Sequence, residues 1–321
     1  LGKIILALFK SLSELLEKVE ATKKRLEIID LTANYLKTLG TEEIEPSVNM
    51  MVGRAFPKYS QKTLDVSWST LTRIFERISA FDWELFRQAM AATGDIGSAT
   101  KAVLEQTKQK KQTQLTQNTL TITEVRTTLE AIALGLGSRT KKKRLITTLL
   151  SQATSVEVKC LVKIFTGEMR TGLHEGLMEQ AVARAFDVPL GRVQHAAMVL
   201  GDIGEVAAAL KTQGAEGLEK AGFRVFRPVK LMLAQTAQSV QEALSEQGGA
   251  SAFEYKYDGA RVQIHLQGGE VSGFSRRLSD VTESLPEVVE AVKQNISAQS
   301  AIVEGEVLSL TPPVIRLLFN I

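Results

Sequence analysis

The chain is poor in the residues that staple a fold or ligate a metal. Cys160 is its one cysteine, so it builds neither a disulfide framework nor a thiolate cluster. Its three histidines, His174, His195 and His265, are scattered, and no two of them stand at the helical spacing of a ligand pair. They read as surface histidines or as hydrogen-bonded structural ones. No apolar run approaches the length of a membrane span. The apolar opening Leu1–Phe9 runs straight into a charged amphipathic pattern, which fits the first turns of a helix better than a signal peptide. These absences predict a cytoplasmic protein with no membrane partner, and nothing in them calls for more than a monomer.

What remains is ordinary for a globular protein: 321 residues, 44% hydrophobic and 23% charged, enough for two domains and a sizeable core. The net charge of +3 conceals a split, with +8 over residues 1–230 and −5 over 231–321. A basic part followed by an acidic one suggests different partners for the two, and polyanion binding belongs with the first.

Residues 4–39 carry Leu12, Leu15, Leu16, Val19, Leu26, Ile29 and Leu36 at helical spacing, with Ser11 or Ser13 as the expected cap. Residues 67–92 read as helix with Trp68, Leu71, Phe75 and Ile78 on a core stripe. Lys108–Gln114 reads as an exposed polar loop. A helix opening at Thr123-x-x-Arg126 and reaching Ala133 leads to Gly135 and Gly137, and then to a helix whose first turn holds Lys141, Lys142, Lys143 and Arg144. Lysines there oppose the helix macrodipole, an arrangement that a bound phosphate would neutralise; the alternative is a solvated basic face. A second glycine-bounded element, Gly167-Glu168-Met169-Arg170-Thr171-Gly172, leads into the next helix. Glycine turns of this kind let a backbone approach a minor-groove phosphate closely. Near residue 224 the texture changes, a short helix is expected over about 236–247, and a strand should then deliver Lys256.

Lys256 sits in Glu254-Tyr255-Lys256-Tyr257-Asp258-Gly259-Ala260-Arg261, between an apolar approach and the alternation Val262, Ile264, Leu266 of a half-buried strand. An Asp-Gly turn between two strands can hold a lysine at a pocket mouth, where lost hydration lowers its pKa and makes it a nucleophile. An ordinary hairpin with an exposed lysine is the plainer reading. Three later stretches add to the first: Phe274-Ser275-Arg276-Arg277, the strand Ala301–Leu308 with Glu304 and Glu306, and Leu317–Ile321 with Phe319.

In this order these stretches resemble the nucleotidyl-transfer motifs of ATP-dependent DNA ligases. Lys-x-Asp-Gly-x-Arg alone is shared with RNA ligases and capping enzymes. Residues 134–185, with Gly-Glu-Met-Arg-x-Gly, resemble the DNA-binding domain of archaeal and eukaryotic-type DNA ligases, which those enzymes lack. The resemblance spans nearly the whole chain. It implies an all-α N-terminal DNA-binding domain over 1–223, then an α+β nucleotidyltransferase (adenylation) domain over 224–321 that is incomplete at its C-terminus. It further implies ATP and Mg²⁺ as cofactors and nicked double-stranded DNA as partner. Lys256 becomes the residue that carries AMP. Glu254 helps hold the adenine, Arg261 and Arg276 contact ribose or phosphate, Glu306 reaches the ribose and lies near the metal, and Phe319 stacks on the base. Lys141, Lys142, Lys143, Arg144 and Arg170 grip DNA.

The sequence also departs from the family. The later Glu-Gly-(Val/Ile) and Lys-x-Lys strands and the OB-fold are absent and the chain begins with leucine, so part of a longer enzyme is expected. Only a dozen residues separate Glu306 from Phe319, so a helical segment is expected to be missing at Leu310–Pro313. The sliding clamp stays a candidate partner without its usual motif, because residues 106–115 hold no aromatic. An RNA-ligase-type transferase and a non-catalytic DNA-binding fragment are the alternatives.

Overall fold

The structure, a computed structural model, describes residues 6–110, 119–135, 139–232, 234–253, 255–310 and 314–320. The chain divides into two compact units: Leu1–Ala197 with Asp202–Ala221, and Met198–Gly201 with Gly222–Ile321.

The first unit is helical. Its elements are α1 (Phe9–Ala21), α2 (Arg25–Thr38), α3 (Thr41–Met51), α4 (Trp68–Ile78), α5 (Trp83–Thr93), α6 (Ile96–Lys110) and α7 (Ile122–Ala133). They continue with α8 (Arg139–Gln152), α9 (Ser155–Thr166), α10 (Glu175–Phe186), α11 (Leu190–Leu200), α12 (Ile203–Gln213) and α13 (Glu216–Glu219). The expected helical stretch over 4–39 is two helices, broken at Thr22, whose backbone is extended. Neither serine caps α1. Leu8 holds the N-cap position, and Ser13 is buried with its hydroxyl donating to the Phe9 carbonyl at 2.9 Å. The polar loop expected from Lys108 begins later, because α6 runs on to Lys110; the rest of it lies outside the described residues.

Local signals set the other boundaries. Thr121 and Glu124 close a reciprocal capping box on α7, and Thr154 and Glu157 do the same on α9. Gly167 ends α9 in the left-handed region at φ 71°, where a Cβ would be strained. The core is pinned by ions as well as apolar contacts. Lys163 on α9, buried, meets Glu20 of α1 and Asp95 before α6, each at 2.9 Å. At Gly97 a Cβ would stand 2.8 Å from the Lys159 carbonyl, so glycine is what allows α6 to lie against α9.

The second unit is built on a four-stranded antiparallel sheet in the order β2-β1-β3-β4: β1 (Ala260–Gln267), β2 (Glu270–Ser275), β3 (Ser300–Leu310) and β4 (Val314–Asn320). Helix α14 (Val240–Glu246) precedes the sheet, and α15 (Pro286–Asn295) lies between β2 and β3. Period-2 alternation divides β1 cleanly. Val262, Ile264 and Leu266 pack against Val288 and Val292 of α15, while Arg261, Gln263 and His265 occupy the opposite face. The strand expected to lead into Lys256 is not seen among the described residues: 250–253 and 255–258 have no regular structure. Both edges of β1 are taken, by β2 and β3, so the segment before β1 cannot pair beside it. Strand β2 stops at Ser275, and Arg276 and Arg277 lie in the turn that follows.

Candidate functional site

The polar face of the sheet carries Arg261, Glu304 and Glu306 from among the residues singled out in the acidic part of the chain. In the β1–β3 register Arg261 lies opposite Glu306 and Gln263 opposite Glu304, so all four share this face. Arg261 reaches diagonally to Glu304, forming an ion pair with it. A shallow depression beside this pair is lined by Val229 and Leu231, by Arg261 and Gln263, and by Arg276 from the turn after β2. Leu278 holds that turn in the left-handed region at φ 65°, with its N–H donating to the Ser275 carbonyl at 2.8 Å.

Glu306 differs from Glu304. Its Oε2 is buried and has no hydrogen-bond partner among the described residues. Its charge is felt at Lys256. A carboxylate oxygen buried without a donor is costly, and it becomes favourable when a hydroxyl or a cation supplies what the protein does not. That donor set fits a Mg²⁺ ion shared with phosphate oxygens. Among the described residues no group of three or more histidine, cysteine or acidic side chains could hold a metal alone.

Lys256 stands three residues before the tightest point of the turn. A Cβ on Gly259 would lie 2.5 Å from the Val307 carbonyl, so only glycine lets this stretch press against β3. The lowered lysine pKa expected from the motif is not what the structure contains. Lys256 is exposed and bonded to Asp258; that carboxylate first, and Glu306 after it, hold the ammonium above its ordinary range. With water on its open side and a carboxylate against it, the charged form is favoured. Glu254 lies outside the described residues, as does the Leu310–Pro313 join at residues 311–313. Phe319 falls on β4 with its backbone opposite Gly305.

Two polar residues on this face were missed when the sequence was read for motifs. Gln263 and His265 are both buried, at 5% and 0% exposure. Burial pushes the imidazole down to about 4, so it is neutral. Their signal was present: polar side chains alternating with Val262, Ile264 and Leu266 on a strand covered on both faces.

In the helical unit, Lys141, Lys142, Lys143 and Arg144 open α8, which has no acidic residue in its first turn. None of the four has an ion-pair partner among the described residues. Four cations at the positive end of a helix, without a carboxylate to neutralise them, make a surface that an anion stabilises. Arg170 is less available. It takes the left-handed conformation at φ 45°, pairs with Glu168 at 2.9 Å and donates to the Gly94 carbonyl at 2.9 Å. Beside Gly167 lies an open groove of about 360 Å³, lined by Arg54, Phe56, Lys58 and Lys62. Lys58, which opens a short 3-10 turn over Lys58–Ser60, and Lys62 just beyond it are cations that no motif marked.

Comparison with known proteins follows the same division. The family described as "DNA ligase N terminus" matches residues 8–183, and that described as "ATP dependent DNA ligase domain" matches residues 231–316. The DNA ligase 1 of Korarchaeum cryptofilum is 37% identical over 305 residues, 94% of this chain and 53% of the relative. The DNA ligase of Thermococcus onnurineus is 36% identical over 304 residues, 94% and 54% of the two chains. That of Methanocella arvoryzae is 35% identical over 306 residues, with the same shares. A solved structure titled Pmar-Lig_Pre covers 93% of this chain and 50% of its own at TM-score 0.46 and 15% identity, too remote to bear on the fold. The chain spans about half the length of the curated relatives it matches.

Proposed function

The chain belongs to the ATP-dependent DNA ligase family, and from that premise we propose that it supplies the duplex-gripping unit and the lysine-bearing face of an enzyme that seals nicks in double-stranded DNA. The observation that carries this reading is the placement of Lys256. Gly259 presses its turn against β3, within the field of Glu306 and on the stretch that opens the strand of Arg261.

Three steps follow. Lys256 Nζ, once deprotonated, attacks the α-phosphorus of ATP; an N–P bond forms, a P–O bond breaks and pyrophosphate leaves. The 5′-phosphate at a nick then attacks the same phosphorus and takes AMP, freeing the lysine. The 3′-hydroxyl attacks that adenylated phosphate, and AMP departs as the phosphodiester closes. Phosphoryl transfer of this kind asks the protein for in-line positioning and for cations around developing charge. Arg261 and Arg276 bound the depression in which a ribose and phosphate would lie, and Glu306 would accept from a ribose hydroxyl or hold Mg²⁺. When bound, Mg²⁺ supplies positive charge to the triphosphate and opposes the carboxylates that keep Lys256 protonated. Lys141, Lys142, Lys143 and Arg144 supply sequence-independent grip on the duplex backbone. Arg170 spends part of its hydrogen-bonding capacity on Glu168 and Gly94, so its share in that grip is the smaller.

The test is the intact mass of the whole gene product after incubation with ATP. A gain of one AMP is expected on the wild type and none on Lys256→Arg, whose guanidinium keeps the charge but offers no free lone pair. An adduct of normal yield on that variant would move the nucleophile elsewhere. Sealing of nicked DNA but not of nicked RNA separates this reading from an RNA-ligase-type enzyme.

A further inference from the structure

We propose that His265, Gln263 and Glu304 form a positioning chain that holds Arg261 at one end and the backbone of residues 226–229 at the other, fixing two walls of the nucleotide depression together. The proposal rests on the reading of this face as the nucleotide site.

The hydrogen bonds run in one direction, and chemistry forces that direction. Glu304 accepts through both oxygens; its Oε2 takes the guanidinium of Arg261 and its Oε1 takes Gln263 Nε2–H at 2.6 Å. The Gln263 amide is thereby oriented with Oε1 pointing away from Glu304. That oxygen accepts the Val229 N–H at 2.7 Å and lies 2.8 Å from His265 Nε2, which must therefore carry the ring proton. Nδ1 is then left as an acceptor, and the Phe226 N–H donates to it at 2.8 Å. A single protonation state satisfies every link. The imidazole is buried and neutral, which lets one tautomer persist.

What the chain holds is under strain. Phe226 takes the left-handed conformation at φ 63°, unfavourable for a bulky residue, and the bond to His265 is what its N–H gains there. Arg227 is also tied down, donating to the Leu200 carbonyl at 2.7 Å, and Val229 and Leu231 then line the depression with Arg261 and Arg276. The two acids of β3 thus divide the work. Glu304 is committed to the chain, and Glu306, left without a partner at Oε2, faces the reaction.

Two variants test this on the whole gene product. Gln263→Leu removes the link, and the nearly isosteric Gln263→Glu sets a carboxylate against Glu304. Wild type should show the Nε2–H tautomer of His265 by ¹⁵N NMR and slow amide exchange at Phe226 and Val229; Gln263→Leu should lose the protection at Val229, whereas Gln263→Glu keeps an acceptor for that amide and loses the donor to Glu304. Lysyl-AMP formation at saturating ATP should fall roughly tenfold to a hundredfold, the scale of a displaced positioning group. If Gln263→Leu does not fold, Gln263→Glu carries the test. Variants with wild-type adenylation would overturn the positioning chain. A wild type with the tautomer and the protected amides but no lysyl-AMP would overturn the nucleotide reading alone.

Discussion

Gly259 and Glu304 show where motif reading reaches and where it stops. The Lys-x-Asp-Gly-x-Arg run places Lys256 and Arg261 on the page before any coordinates, and its glycine reads as a turn-maker. In the structure the glycine is required for another reason, a backbone approach in which a Cβ would lie 2.5 Å from the Val307 carbonyl. Gly259→Ala should therefore push the Lys256 turn off β3 and cost on the order of 1–3 kcal/mol. Adenylation should fall more than global stability does. Urea unfolding and AMP incorporation on the same variant check this, and an unchanged AMP yield would separate the turn from the chemistry. Glu304 and Glu306 are two residues apart with the same chemistry, and sequence alone cannot say which one is consumed by Arg261. That depends on the strand register: a two-residue slip would exchange them, and a one-residue slip would carry both to the other face.

At the scale of elements, the helical unit was largely legible. Periodicity and glycine placement give α7 close to its observed bounds and mark α8 and α10, while the helical stretch read over 67–92 is two helices, α4 and α5, broken between Ser79 and Asp82. What escaped was tertiary in origin. The segment before Lys256 has strand-forming residues but pairs with no strand among the described residues, and Phe253 and Tyr255 stay 77% and 85% exposed. The ion cluster joining α1, α6 and α9 was equally invisible, because Glu20, Asp95 and Lys163 are far apart in sequence. Lys163→Met should destabilise this unit by about 3 kcal/mol, toward the low end for removing one partner of a buried pair. The cost should carry a pH signature. Burial pushes the Asp95 carboxyl up, but Lys163 and Ser98 outweigh it and leave it below its ordinary range. A depressed folded pKa gives stability that is complete above the unfolded value of about 3.9 and lost as pH falls through the folded one. The gap between wild type and Lys163→Met should thus be widest near neutrality and narrow in acid. Urea midpoints followed by helical circular dichroism at several pH values measure it, and a gap independent of pH would assign the loss to packing instead.

At the scale of the molecule, the charge split and the two compact units suggest that duplex grip and lysine adenylation are carried by separate parts of the chain. Every nucleotide motif lies beyond residue 250, and the unpaired cations at the start of α8 lie in the other unit. Each phosphate contact releases condensed counterions, so removing contacts weakens binding and flattens its dependence on salt. Replacing Lys141, Lys142 and Lys143 together with alanine should weaken binding to nicked and intact duplex alike, with the log–log salt slope falling by roughly 1 per lost contact. Lys142 and Lys143 are half-buried on α8, so alanine also strips some aliphatic cover; a triple glutamine variant, which keeps most of that cover, separates the two effects. Formation of lysyl-AMP from ATP should be nearly unchanged in both, because that step precedes any contact with DNA. Fluorescence anisotropy across a salt series and intact mass after ATP treatment give both quantities on one preparation. Loss of adenylation with DNA affinity intact would assign the basic turn of α8 to the nucleotide and end the division of labour drawn here.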